Sequence, residues 1–185
     1  MRCFIAIKIP SSIKESIAKL INAITTNASG IKFVPSENIH ITMKFLGEVD
    51  EKKAQDVIAS LKVLSASHSP FPLEIKGTGV FLDPKRPNVL WIGVSELANL
   101  QELHKYIESS LVMLGFEKEA RKFSPHLTLG RVKDQRSAGS AVRQLLKHSS
   151  ETFGSFDVKE VCLMQSVLKP SGAEYSTIET FGLEK

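Results

Sequence analysis

Long apolar runs are missing from this chain. No stretch approaches the roughly 18 residues that a bilayer-spanning helix needs, and residues 1–10 alternate instead of forming the apolar core of a signal peptide. The expectation is a soluble, unexported, cytoplasmic protein with no membrane partner. Cysteine is scarce as well, with two in 185 residues. Cys3 and Cys162 each lie in an apolar, strand-like stretch without a CxxC or a neighbouring histidine, which argues against a zinc cluster and for two buried, reduced thiols. A large excess of one charge is also lacking: 24 Lys+Arg stand against 20 Asp+Glu, a net +4 with a pI near 9.0. That balance suits a phosphate-rich ligand without requiring one. What remains, 42% apolar and 24% charged residues, describes one compact globular unit over 1–185.

Two periodicities organise it. Residues 2–9 read as a strand ended by Pro10, and Ser12 with Glu15 reads as a capping box that opens a helix carrying Ile13, Ile17, Leu20, Ile21 and Ile24. A turn signal at Asn27-Ala28-Ser29-Gly30 precedes residues 31–34, too short to classify. A strand at 39–46 follows, then a helix carrying Ala54, Val57, Ile58, Leu61 and Leu64. Strands at 71–81 and 89–94 flank Asp83-Pro84-Lys85-Arg86-Pro87-Asn88, a hairpin loop by its prolines and Asp/Asn chemistry.

The order then repeats. A helix with Leu100, Leu103, Ile107, Leu111 and Leu114 leads to a strand at 126–132 and a helix with Ala138, Ala141, Val142, Leu145 and Leu146. Strands at 156–168 and 175–181, around Lys169-Pro170-Ser171-Gly172, close the chain as paired strands closed the first half. The fold expected is α+β: two lobes related by a pseudo-twofold axis, each an antiparallel-rich sheet backed by helices, with a cleft between them.

The repeated strands carry His40-Ile41-Thr42 and His126-Leu127-Thr128. Alternation places each His and Thr on one face and Ile41, Met43, Leu127 and Leu129 on the other. With five His and eight Thr in the chain, chance supplies only about 0.04 copies of His-apolar-Thr-apolar. Two imidazoles fit hydrolysis of a cyclic phosphodiester, which needs a base to deprotonate water and an acid to protonate the leaving ribose oxygen. Two hydroxyls suit the non-bridging oxygens.

These motifs resemble those of the two-histidine (2H) phosphoesterase superfamily, in particular its RNA 2′,3′-cyclic phosphodiesterase branch, also called 2′-5′ RNA ligase. The resemblance extends to Arg2-Cys3-Phe4-Ile5-Ala6-Ile7, Phe45-Leu46-Gly47, Leu90-Trp91-Ile92-Gly93-Val94 and Pro125. It implies opening of an RNA terminal 2′,3′-cyclic phosphate to a 2′-phosphate, tRNA fragments among the substrates, by a monomer that needs no metal or nucleotide cofactor, with weak reversible 2′-5′ ligation. It makes His40 the general acid and His126 the general base, an assignment that the pseudosymmetry leaves exchangeable. It also implies a phosphate-binding arginine at Arg131, which simple alternation turns to the wrong face unless a bulge or strand end falls near Gly130.

By parity Lys44 shares the His40 face and is a second phosphate candidate, while Phe45 falls on the core face. Phe4 and Trp91 are candidates for stacking on a terminal base, and Lys85-Arg86 and Arg121-Lys122 for contacts to the RNA backbone. His68, His104 and His148 have no duplicated partner and are expected to be structural. A non-catalytic RNA-binding module is the competing class, which two matched imidazole-hydroxyl pairs disfavour. A zinc hydrolase would need a third ligand near the motifs, where neither offers a carboxylate.

Overall fold

Ile13, Ile17, Leu20 and Ile24 all lie buried on one face of helix α1 (Ser11–Thr25), as their spacing requires. The remaining elements of the computed structural model follow in the order β1 (Arg2–Lys8) before α1, then β2 (Ile31–Phe33), a 3₁₀ turn (Ser36–Asn38), β3 (His40–Glu48), α2 (Glu51–Ala66), β4 (Phe71–Phe81) and β5 (Val89–Ser95). The second half runs α3 (Leu97–Met113), β6 (His126–Val132), α4 (Gln135–Leu146), β7 (Thr152–Val158), β8 (Glu160–Lys169) and β9 (Gly172–Gly182). The structure describes residues 1–25, 29–95, 97–170 and 172–185. Asn27 and Ala28 of the first turn signal, and Ser171 of the last, lie outside the described residues.

The start of α1 differs from the sequence reading. The Pro10 carbonyl accepts the Ile13 and Lys14 N–H groups, both at 3.1 Å, and Ser12 sits inside the first turn with its own carbonyl taken by the Ser16 hydroxyl. Pro10, with its fixed φ, brings the chain into the helix, and the Ser12/Glu15 capping box does not form. Aspartates cap two other helices: Asp50 accepts the Lys53 N–H and Asp134 the Arg136 N–H, each satisfying a donor that the first turn leaves unpaired.

All strand pairs are antiparallel, in the order β7-β4-β5-β6-β3-β1-β8-β9, with β2 added along β6. The sheet is therefore two four-stranded halves that meet at β3 and β6. The order also revises the repeat. The counterpart of β1 is β5, since each flanks a motif strand, and β4 lies beside β5 where β8 lies beside β1. The run at 156–168 is two strands, broken at Lys159, that belong to opposite halves of the sheet. No Gly or Pro marks that break, so composition reads through it.

Helices α1 and α4 pack behind β7 and β4, and α2 and α3 behind β9, β8 and β3. Their apolar faces and the inward sheet face merge into one core that includes Ile5, Ile41, Leu90, Leu103 and Leu127. A second small cluster, Phe4, Ala6, Cys162 and Met164 with Tyr175 packed on it, lies on the opposite face of β1 and β8. Strand β1 is consequently buried on both faces. Both cysteines are buried free thiols, and among the described residues no helix is long and apolar enough to cross a membrane.

Candidate active site

Ile41 and Leu127, both fully buried, are cross-strand partners where β3 meets β6. Antiparallel counting from that pair sets His40 opposite Thr128 and Thr42 opposite His126, all four on the face away from the core. The two motifs thus meet diagonally across the junction of the halves. A cleft of about 370 Å³ opens there, lined by Phe4, Asn38, His40, Thr42, Phe45, Thr128, Arg131 and Tyr175 among others.

Each imidazole is held in the same way. His40 Nδ1 lies 2.7 Å from the carbonyl of Asn38, and His126 Nδ1 lies 2.7 Å from the carbonyl of Ser124. A carbonyl only accepts, so in both rings Nδ1 carries the hydrogen and donates it to the residue two positions upstream. That fixes the tautomer and leaves Nε2 for chemistry. His40 Nε2 is 3.0 Å from the Thr42 hydroxyl, which donates to it when the ring is neutral. The His40 ring packs against both Phe4 (4.9 Å between centroids) and Tyr175 (5.4 Å), which also touch each other at 5.1 Å, whereas His126 stands edge-on to Phe81 at 4.7 Å.

Both rings titrate below the ordinary histidine range, chiefly because burial disfavours the imidazolium. The carbonyl hydrogen bonds oppose that shift. Nearby cations add to it, Lys14 at His40 and Arg131 at His126.

Arg131 reaches the cleft through a bulge. Thr128 pairs with Trp91 and Gly130 with Leu90, so Leu129 is an extra residue in β6. One inserted residue reverses the parity beyond it and returns Arg131 to the His126 face. The same event occurs in β3, where Thr42 pairs with Ala6 and Lys44 with Ile5, leaving Met43 as the extra residue.

The bulge in β3 overturns two expectations together. Lys44 is turned into the core, 8% exposed, where its ammonium pairs with Glu108 at 2.7 Å and donates to the Glu117 carbonyl at 2.7 Å. It does not join the cleft and is not placed to bind phosphate there. Phe45, assigned by parity to the core, is 68% exposed and lines the cleft.

Phe4 lies at the cleft as part of the buried support of His40. Trp91, like His126, does not line this cleft; it pairs with Thr128 and packs on Phe81, the ring that stands against His126. Its own ring covers Gly79, where a Cβ would come within 2.2 Å of it, and its indole N–H is buried without a partner among the described residues. Lys85 and Arg86 are exposed in a loop whose N–H groups Asp83 accepts. Arg121 and Lys122 line a separate cavity against α3, where His104 stacks on Phe123 at 3.8 Å. Among the described residues, no three His, Cys, Asp or Glu side chains cluster so as to hold a metal ion. Sequence reasoning misses Asn38, Tyr175 and the cleft-facing Phe45; period two alone carries no signal for them.

Residues 10–169 match the 2′-5′ RNA ligase superfamily. RNA 2′,3′-cyclic phosphodiesterases from Methanocaldococcus jannaschii and Archaeoglobus fulgidus are 41% and 36% identical, covering 97% and 98% of this chain and 99% of each relative. Among solved structures, TT0787 of Thermus thermophilus superposes with a TM-score of 0.81 at 28% identity, and E. coli LigT complexed with 3′-AMP with 0.79 at 26%; each comparison covers 100% of this chain and 98% of the other. The chain belongs to the two-histidine phosphoesterase superfamily and, within it, to the RNA 2′,3′-cyclic phosphodiesterase family, and it is an enzyme.

Proposed function

We propose that this chain hydrolyses the 2′,3′-cyclic phosphate at an RNA end to a 2′-phosphate, with His40 and His126 as its acid-base pair. The observation that carries this reading is the matched pair of imidazoles, each with Nδ1–H committed to a carbonyl two residues upstream, which leaves Nε2 as the nitrogen that exchanges a proton, with the Thr42 hydroxyl beside that of His40. One neutral ring, assigned to His126, takes a proton from water as its oxygen attacks phosphorus. The P–O3′ bond breaks, and the other ring, His40 as imidazolium, protonates the departing 3′ oxygen. Thr42, Thr128 and Arg131 donate to the non-bridging oxygens as charge shifts onto them.

None of these steps calls on a metal or a nucleotide cofactor. An RNA 5′-hydroxyl in place of water gives a 2′-5′ linkage by the same route, a weak reverse-capable ligation. The same proposal takes the chain to be one bilobal unit with an internal duplication, acting as a cytoplasmic monomer on RNA ends that include tRNA fragments.

The test is turnover, in EDTA, of a short RNA ending in 2′,3′-cyclic phosphate, with the product's regiochemistry read by phosphorus NMR. The expected product is the 2′-phosphate, formed at least about a hundredfold more slowly by His40→Ala and by His126→Ala, the lower size of an acid-base contribution. Retained RNA binding without turnover by the wild type would favour the non-catalytic binding module instead.

A further inference from the structure

Strand β2 is too short to classify from sequence, yet it places a cation beside the candidate site. Lys32 is the direct cross-strand partner of Arg131, with Ile31 paired to Val132 and Phe33 to Gly130. Directly paired residues project from the same face. Val34, which shares the parity of Lys32, lines the cleft with Arg131 while also packing against the core, as Ile31 and Phe33 do. Lys32 and Arg131 are both exposed. The Lys32 ammonium lies toward the β8–β9 hairpin, 4.0 Å from where a Cβ on Gly172 would stand.

Like charges directly opposite on a sheet are destabilising, and neither cation here has a carboxylate within ion-pair distance among the described residues. The acidic group on the adjacent hairpin, Glu174, is taken by Lys169 at 2.6 Å. An anion between or beside the two would relieve the repulsion. If Arg131 holds the cyclic phosphate, as the proposed function has it, the next anion of an RNA substrate is the phosphodiester one nucleotide in from the end.

Resting on that function, we infer that Lys32 binds the internal phosphodiester adjacent to the terminal nucleotide, so that this site recognises an RNA strand rather than a cyclic mononucleotide. Phosphate neutralisation by a single lysine is independent of base sequence and sensitive to salt.

Three substrates test it: a 2′,3′-cyclic mononucleotide, a dinucleotide ending in the cyclic phosphate, and the same dinucleotide with an uncharged methylphosphonate linkage. In the wild type, the methylphosphonate should lower kcat/KM about tenfold relative to the phosphodiester, the size of one charge-assisted contact. Lys32→Ala should remove that discrimination, lower kcat/KM on the charged dinucleotide by a similar factor, and reduce the slope of log kcat/KM against log salt by about 0.7. Lys32→Arg should restore it.

Equal slowing of all three substrates by Lys32→Ala, or wild-type indifference to the linkage, would overturn the assignment while leaving the proposed function standing. Absence of wild-type turnover on every substrate would instead remove the function, and this inference with it.

Discussion

Strands β3 and β6 begin alike and end differently. Each turns His and Thr away from the core, each buries the residue between them, and each has a bulged residue directly after the Thr, Met43 in one and Leu129 in the other, with a second slip in β3 at Leu46. The next two positions then diverge. In β6 they are Gly130, pressed against Ile31 where a Cβ would meet a methyl at 2.9 Å, and the cleft-facing Arg131. In β3 they are Lys44, buried against Glu108, and the cleft-facing Phe45. The duplicated backbone supplies a symmetric pair of acid-base groups, and the residues after the bulge make the site asymmetric: a cation on one side, an aromatic face on the other.

The largest effect expected from breaking this comparison is on stability. The Lys44–Glu108 pair has side chains 6% and 9% exposed. Burial alone would raise the Glu108 carboxyl, but the hydrogen bonds from Lys44 and from the Glu119 N–H outweigh it and hold the group below the ordinary range. Removing one partner strands a buried charge, so Lys44→Met should cost about 3–5 kcal/mol, whereas Lys44→Met with Glu108→Leu should recover most of that loss. Urea denaturation of the single and double variants measures it. Equal losses in both would mean that Lys44 is held by its bond to the Glu117 carbonyl rather than by charge.

A smaller effect is expected at the two cleft-facing positions. Arg131→Ala should lower kcat/KM at least about tenfold through a lost charge-assisted contact to phosphate. Phe45→Ala should cost about 1–3 kcal/mol of substrate binding if a base stacks on it, with stability changed by under about 0.5 kcal/mol because the ring is so exposed. An RNA whose terminal ribose carries the cyclic phosphate but no base separates the two: the Arg131 effect should persist and the Phe45 effect should vanish. Persistence of both would make Phe45 a wall of the cleft and not a stacking platform.

The bulges also decide what can be read in advance. Helices α1 to α4, the motif strands and the faces of His40, Thr42, His126 and Thr128 follow from spacing, because every one of these residues precedes a register slip. Beyond the slip, alternation gives the wrong face, as it does for Lys44 and Phe45. Arg131 is recovered only because a family resemblance demands a bulge or strand end near Gly130, and the bulge falls at Leu129. The division of residues 156–168 into β7 and β8 is hidden for a related reason: Lys159 interrupts the strand without any Gly, Pro or Asn to announce it. Long-range pairing, such as Lys32 with Arg131, has no local signature at all.

The smallest effects concern the protons themselves. Burial lowers both imidazoles, so the unfolded chain binds more protons than the folded one between the folded pKa values and about 6.5. Stability contributed by neutral His40 and His126 is therefore complete above about pH 7 and is lost as pH falls from about 6.5 through the folded pKa values. For the same reason the acid limb of kcat/KM, a property of the free enzyme, should lie below 6.5. The cations that add to the shift differ: Lys14, whose ammonium donates to the Glu37 carbonyl at 2.8 Å, acts on His40, and Arg131 acts on His126. Imidazole NMR titration of the free enzyme should accordingly show Arg131→Ala raising the His126 midpoint while leaving that of His40 in place, and Lys14→Gln doing the reverse. If either substitution moves both midpoints together, the rings titrate as a coupled pair across the β3–β6 junction, and the two motifs are closer electrically than their separate cations imply.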